Sequence, residues 1–334
     1  MEKVLVTGAT GFIGLHCLSQ LLDAGYAVRG TVRDLARTDE VRTAMEKAGS
    51  PVAQLEVVAA DLLSDHGWDD AVKGCQYVLH VASPFVVGVP KDENELIVPA
   101  VEGTTRVVEA AIREGVKRVV LTSSCAAITE TGKAGQTRFS EDDWTDASHP
   151  ATPAYYKSKV LAERKAWSLI GAQDKTQLSV INPAGVVGPM LSRDIGTSNA
   201  FVGQIIEGQL PGCPKMHLGF VDVRDVASAH LLAMTNDAAA GERFIISERE
   251  FWFREITAAL RESGFEKAPS RELPTWLVKA LGLFSGELKQ IGQMAGKEKF
   301  TPSDKAKALL GWAPRDVTLS FAETAQQLKE EGLI

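Results

Sequence analysis

Short apolar runs alternate with longer amphipathic stretches through the first half of the chain. The runs fall at residues 3–7, 26–32, 53–58, 77–81, 117–122 and 178–182, each bounded by glycine or polar residues. Several are apolar throughout, the pattern of strands covered on both faces. Between them the period becomes helical. Residues 12–24 set Ile13, Leu18, Leu21 and Leu22 mostly along one side, and Gly25 supplies a stop. Residues 100–114 set Val101, Thr105, Val108 and Ile112 on one stripe, closed by Gly115. A third helix is predicted over 153–170, with Thr152 as N-cap and Pro153 at its first position. Such alternation predicts an α/β fold built on a parallel, doubly wound sheet.

The texture changes after residue 183, where glycines and prolines from Pro183 to Pro214 break the alternation. A further strand is expected at 243–246, and helices around 253–263, 274–283 and 303–311. The chain is therefore expected to divide into a sheet domain over 1–182, to which segments at about 220–246 return, and a smaller lobe over 183–334. Its 334 residues exceed what one core usually organises, which fits two lobes.

Composition narrows the possibilities by exclusion. A net charge of −7 without any basic run argues against nucleic acid or an anionic membrane as partner. Cys17, Cys75, Cys125 and Cys213 are widely spaced and form no C-x-x-C, so reduced thiols are expected rather than a disulfide or metal site. The N-terminus enters a strand directly at Lys3–Thr7, with no signal-peptide pattern, and no apolar run approaches the ~18 residues of a membrane span. A cytoplasmic monomer or homodimer acting on a small molecule is the expectation.

Two motifs carry the chemistry. Gly8, Gly11 and Gly14 follow the first strand and open the first helix, the context of a dinucleotide-binding turn. Thr10, Phe12 and Ile13 share that turn. Free N–H groups at the helix start would meet a pyrophosphate. A Rossmann-like domain is thus expected. At the end of the second strand stand Thr31 and Arg33, followed by Arg37, where an NAD-selective site usually carries an acidic side chain. Arginine matches a 2′-phosphate, so NADP(H) is favoured over NAD. Asp61 and Leu62, after the third strand, are placed beside the adenine, with capping of a helix as the other role for Asp61.

The second motif is Tyr155 and Lys159, four apart on one helix face. A phenol titrates near 10 in water and needs a neighbouring positive charge to exchange protons at neutral pH. Thr122, Ser123 and Ser124 deliver hydroxyls at the end of the fifth strand, where doubly wound sheets bind ligands. Ser124 would hydrogen-bond a substrate carbonyl beside Tyr155, with Ser123 the runner-up; strand termination and turn capping is the other reading of both.

Thr7–Gly14, His80-Val81-Ala82-Ser83-Pro84, Leu121–Ser124, Tyr155–Lys159, Ile181-Asn182-Pro183 and Phe220–Ala227 together resemble an extended short-chain dehydrogenase/reductase, over essentially the whole chain. Gly30–Asp34, His80–Pro84 and Leu161-Ala162-Glu163 are similar to a narrower group: dihydroflavonol reductases, cinnamoyl-CoA reductases and microbial NADPH-dependent aldehyde and carbonyl reductases. The resemblance implies reduction of an aldehyde or ketone to the alcohol, with Ser124, Tyr155 and Lys159 as catalytic triad and Arg33 on the 2′-phosphate. It implies that Val81, Ala82, Ser83, Pro183, Gly185 and Val186 line the cofactor. Phe85, Ile128, Met190, Phe201, Met216 and Phe220 are the apolar candidates for the substrate pocket.

Three other readings share these features. A hydroxysteroid dehydrogenase has the same triad. A sugar-nucleotide epimerase or dehydratase shares the fold, but Cys125–Ile128 supplies no acidic residues after the serine. A non-catalytic NADP-sensing regulator can dispense with the Tyr/Lys pair that is present here.

Overall fold

A computed structural model describes every residue except 84–89, 91, 282–290 and 293. Seven strands form one parallel sheet: β1 (Lys3–Val6), β2 (Ala27–Val32), β3 (Leu55–Ala59), β4 (Tyr77–His80), β5 (Arg118–Thr122), β6 (Gln177–Pro183) and β10 (Arg243–Ile246). Their order is β10-β6-β5-β4-β1-β2-β3. The order reverses at β1, which lies between β4 and β2, so a crevice opens there at the carboxyl ends of the strands.

Both faces of the sheet are covered, which explains the unbroken apolar runs. Val4 and Val6 face the core formed with helices α1 (Phe12–Asp23), α2 (Thr38–Ala48) and α7 (Val223–Thr235), whereas Leu5 faces the opposite core. That second core holds α3 (Trp68–Val72), α4 (Asn94–Arg113) and α5 (Ala154–Ile170). Val120 and Ile181 point to the first side, Val119, Leu121 and Val180 to the second. Successive strand residues alternate faces, and each fully buried Val or Leu contributes about 1.5–3 kcal/mol by leaving water.

Two helix starts differ from the pattern. The helix expected from residue 100 begins at Asn94, with Pro99 inside it. Proline removes one N–H from the ladder, which is why sequence reasoning starts the helix after it. Of the expected stripe Val108 is buried and Val101, Thr105 and Ile112 are half-buried, while Gly103, Val107, Ala110 and Ala111 are buried beside it. At α5 the N-cap is Pro153 rather than Thr152, whose hydroxyl instead donates to the Asp146 carbonyl at 2.8 Å.

The rest forms the second lobe. Strands β7 (Gly185–Val187), β9 (His217–Asp222) and β11 (Arg249–Trp252) make a small sheet, and β8 (Cys213–Pro214) pairs with β12 (Glu272–Leu273). Helices α6 (Thr197–Ile206), α8 (Phe253–Glu262), α9 (Thr275–Leu281) and α11 (Val317–Glu330) complete it, whereas α10 (Asp304–Leu310) packs Ala306 and Leu310 into the first core beside β10 and α7. The core of this lobe includes Met190, Val202, Phe251, Phe253 and Phe321. Among the described residues no helix is long and apolar enough to cross a membrane, and no cluster of side chains suits a metal ion. The four cysteines are free and buried.

Candidate active site

A cavity of about 580 Å³ runs along the carboxyl edge of the sheet. Every residue expected to hold the cofactor lines it except Gly185. The parallel sheet is the cause, since it brings the ends of β1 to β6 to one edge.

At one end the glycine turn is tightly built. Gly8 has φ of 72°, and a Cβ there would lie 3.1 Å from Ala82 Cα. A Cβ on Gly14 would lie 2.2 Å from the Gly8 carbonyl oxygen, so only glycine lets α1 start this close to the turn. Gly11 occupies the N-cap of α1, and no side chain caps it. The first-turn N–H groups are therefore available to an anion. The Gly8 N–H donates to Thr31 Oγ1 at 3.1 Å, tying the turn to β2.

The two arginines differ. Arg37 holds Glu40 through two bonds, Nε to Oε2 at 2.8 Å and Nη2 to Oε1 at 2.9 Å. Arg33 is exposed and makes no hydrogen bond or ion pair among the described residues. Asp61 lines the cavity and caps no helix: its Oδ1 accepts the Leu63 N–H at 3.0 Å within a turn, and α3 begins only at Trp68.

At the other end Tyr155 and Lys159 meet the end of β5. Lys159 Nζ lies 5.6 Å from the centroid of the Tyr155 ring and donates to Ser83 Oγ at 2.9 Å. Tyr155 packs edge-on against Tyr156. Ser124 lines this cavity and the next, and its Oγ accepts the Ala126 N–H at 3.1 Å, leaving its own O–H to donate. The Ser123 hydroxyl is committed to Glu163 at 2.6 Å. The geometry separates two serines that the sequence leaves equivalent.

Two neutral histidines support this edge. His80 Nδ1 lies 2.9 Å from Thr7 Oγ1, which also accepts the Ala82 N–H. Burial pushes the His80 pKa down to about 3, and the Lys159 charge adds to this. His230 Nδ1 donates to the Val226 carbonyl, so its Nε2 accepts from the Thr122 hydroxyl at 2.7 Å. Burial lowers its pKa to about 4. The unfolded chain binds a proton at each near pH 6.5, which the folded chain refuses. Stability is thus full above 6.5 and declines as pH falls toward these lowered values. Each histidine is expected to cost about 2 kcal/mol between pH 7.5 and 5, read as a lower urea midpoint at unchanged slope. An unchanged midpoint at pH 5 would contradict the neutral assignment.

A second cavity of about 510 Å³ opens beside Ser124 and Tyr155. Its lining includes Leu96, Cys125, Thr129, Tyr156, Gly185, His217, Met294, Lys299 and Thr301. Gly185 lines this cavity and not the first. None of the apolar candidates that the structure describes is among the lining residues. Ile128 is buried with Phe139 and Ile245; Met190, Met216 and Phe220 lie in the second lobe's core, with Phe201 packed against it. A Cβ on Gly185 would lie 2.7 Å from the Phe220 ring, so that ring stands one layer behind the wall. Phe85 falls outside the described residues. Apolar identity fails as a guide because core and pocket use the same side chains.

Sequence reasoning also missed Asp194, Gly196, Thr197 and Ser198, which reach the first cavity from the second lobe. A Cβ on Gly196 would touch the Phe12 ring at 2.8 Å, so this loop lies directly against the glycine turn. The glycine-rich texture after residue 183 signals a loop without showing where it lands.

Residues 4–247 match the NAD dependent epimerase/dehydratase family. The chain is 35% identical over 339 residues to a cinnamoyl-CoA reductase of Medicago truncatula, covering 98% of this chain and 96% of the relative. It is 33% identical over 362 residues to the NADPH-dependent methylglyoxal reductase of Saccharomyces cerevisiae, covering 99% and 100%. The structure of yeast methylglyoxal/isovaleraldehyde reductase complexed with NADPH superposes with a TM-score of 0.80 at 28% identity, covering 99% of this chain and 100% of that one.

Proposed function

This chain belongs to the NAD dependent epimerase/dehydratase family, and from that premise we propose that it is an NADPH-dependent oxidoreductase that reduces an aldehyde or ketone to the alcohol. The observation that carries this reading is the junction of the two cavities, where Ser124 and Tyr155 border both. The first cavity suits NADPH: its glycine turn leaves no room for a Cβ at Gly14, its helix start is uncapped, and Arg33 is unpaired at the β2 end.

NADPH, when bound, supplies a hydride to the carbonyl carbon. The chain's own work is on the oxygen. Ser124 donates a hydrogen bond to it, favouring the negative charge that develops there. Tyr155 gives its phenolic proton to the same oxygen, completing the alcohol. Lys159, held by Ser83, favours the phenolate left behind. Water then returns the proton. The second cavity holds the remainder of the substrate, a small molecule.

Cofactor choice rests on Arg33. Its replacement by Ala is expected to lower kcat/KM for NADPH by about 10- to 100-fold, the worth of a charge-assisted pair, with the NADH value unchanged. Arg37→Ala is expected to cost less, because Glu40 already occupies that guanidinium. A wild-type preference for NADH would overturn the assignment. The reaction itself is tested by NADPH oxidation with methylglyoxal, isovaleraldehyde, α-keto esters, diketones and flavanone-type ketones. Turnover with at least one is expected; none with any would overturn the proposal.

A further inference from the structure

Glu163 lies on α5 about two turns beyond Tyr155 and is completely buried. A carboxylate offers four acceptor positions, and here all four are filled. Oε2 accepts the Ser123 hydroxyl at 2.6 Å and the Asn182 amide at 2.9 Å. Oε1 accepts Arg243 Nε at 2.6 Å and Trp167 Nε1 at 3.3 Å. Asn182 Nδ2 also reaches the Ser124 carbonyl at 3.2 Å. Arg243 is fixed in turn: it donates to the Glu141 and Asp143 carbonyls and stacks 3.7 Å over the Trp144 ring. One carboxylate on the helix of Tyr155 and Lys159 thus grips the end of β5, β6 and β10 together.

A buried ion pair is weak as a source of stability, because desolvation offsets most of the attraction. Its value here is geometric. We propose that Glu163 is a positioning residue that sets the placement of Ser124 against Tyr155, by holding the Ser123 hydroxyl directly and the Ser124 carbonyl through Asn182. The proposal rests on the roles given above to Ser124 and Tyr155. It explains why Ser123, beside the reacting oxygen's partner, turns its hydroxyl away. It also requires the charged form: the NH₂ of a glutamine would face donors at one oxygen or the other.

Two single deletions test it on the same carboxylate. Ser123→Ala removes the donor from β5, and Trp167→Phe removes one that comes from α5 itself. Each leaves one acceptor position empty, and Trp167→Phe also loses part of a ring packed against the second core, so its melting temperature should fall at least as far as that of Ser123→Ala. Ser123→Ala is expected to lower kcat about 10-fold, as a small misplacement of reacting groups does, while NADPH affinity by nicotinamide fluorescence stays within about twofold. Trp167→Phe is expected to keep kcat within about twofold of wild type despite its lower melting temperature. Both are assayed with NADPH and the fastest carbonyl of the panel above. Wild-type kcat in Ser123→Ala, or equal kcat losses in the two variants, would overturn the proposal. Ser124→Ala and Tyr155→Phe separate this from failure of the underlying reading. If those two retain turnover, the reading itself falls; if they lose it while Ser123→Ala does not, only the role of Glu163 falls.

Discussion

Replacing Tyr155 by Phe is expected to lower kcat for carbonyl reduction by about 10²- to 10⁴-fold, the usual worth of a positioned general acid. The substitution keeps the ring that packs edge-on against Tyr156 and lies beside Lys159 Nζ, and removes only the hydroxyl. Folding and NADPH affinity should therefore stay near wild type, which places the loss in the chemical step. Tyr156 cannot substitute, since the residue four beyond it is Val160. Stopped-flow single turnovers of the NADPH-loaded enzyme measure that step directly. Near-wild-type turnover in this variant would remove Tyr155 from the mechanism.

The second large effect is expected at Gly14. A Cβ there would sit 2.2 Å from the Gly8 carbonyl oxygen, a backbone atom with no rotamer to escape into. Gly14→Ala must push the start of α1 away from the turn. Overpacking of this kind costs about 1–3 kcal/mol of stability. Losing two charge-assisted hydrogen bonds to the pyrophosphate would cost about 100-fold in NADPH affinity. Gly49→Ala is the control: its φ of 77° also disfavours alanine, but nothing lies within 4 Å of its Cβ position. That variant should lose stability and keep NADPH affinity, by fluorescence titration. Equal affinities in the two would show that the close approach at Gly14 does not matter for the cofactor.

The sequence by itself was enough for the sheet, the glycine turn and the Tyr155–Lys159 pair. Each is written in local spacing: apolar runs for strands buried on both faces, three glycines between a strand and a helix, and i, i+4 on one helix. Where a local rule met a competing constraint, it slipped. Pro99 hid the first turn of α4, and Thr152, which looks like an N-cap, found the Asp146 carbonyl instead.

Only the tertiary structure decided which of several equivalent side chains is held by a neighbour and which is left facing the cavity. Ser123 and Ser124 are the same residue in the sequence, and Glu163 separates them. Arg33 and Arg37 are likewise alike until Glu40 takes the fork of one. The wall of the second cavity departs furthest from expectation, since Ile128, Met190, Met216 and Phe220 went to the core while His217, Lys299 and Thr301 came to the cavity. Periodicity reports which face of one element is buried, but a cavity is assembled from elements far apart in the chain. Whether a side chain ends in a core or on a wall depends on what another segment places in front of it, and no local spacing carries that information.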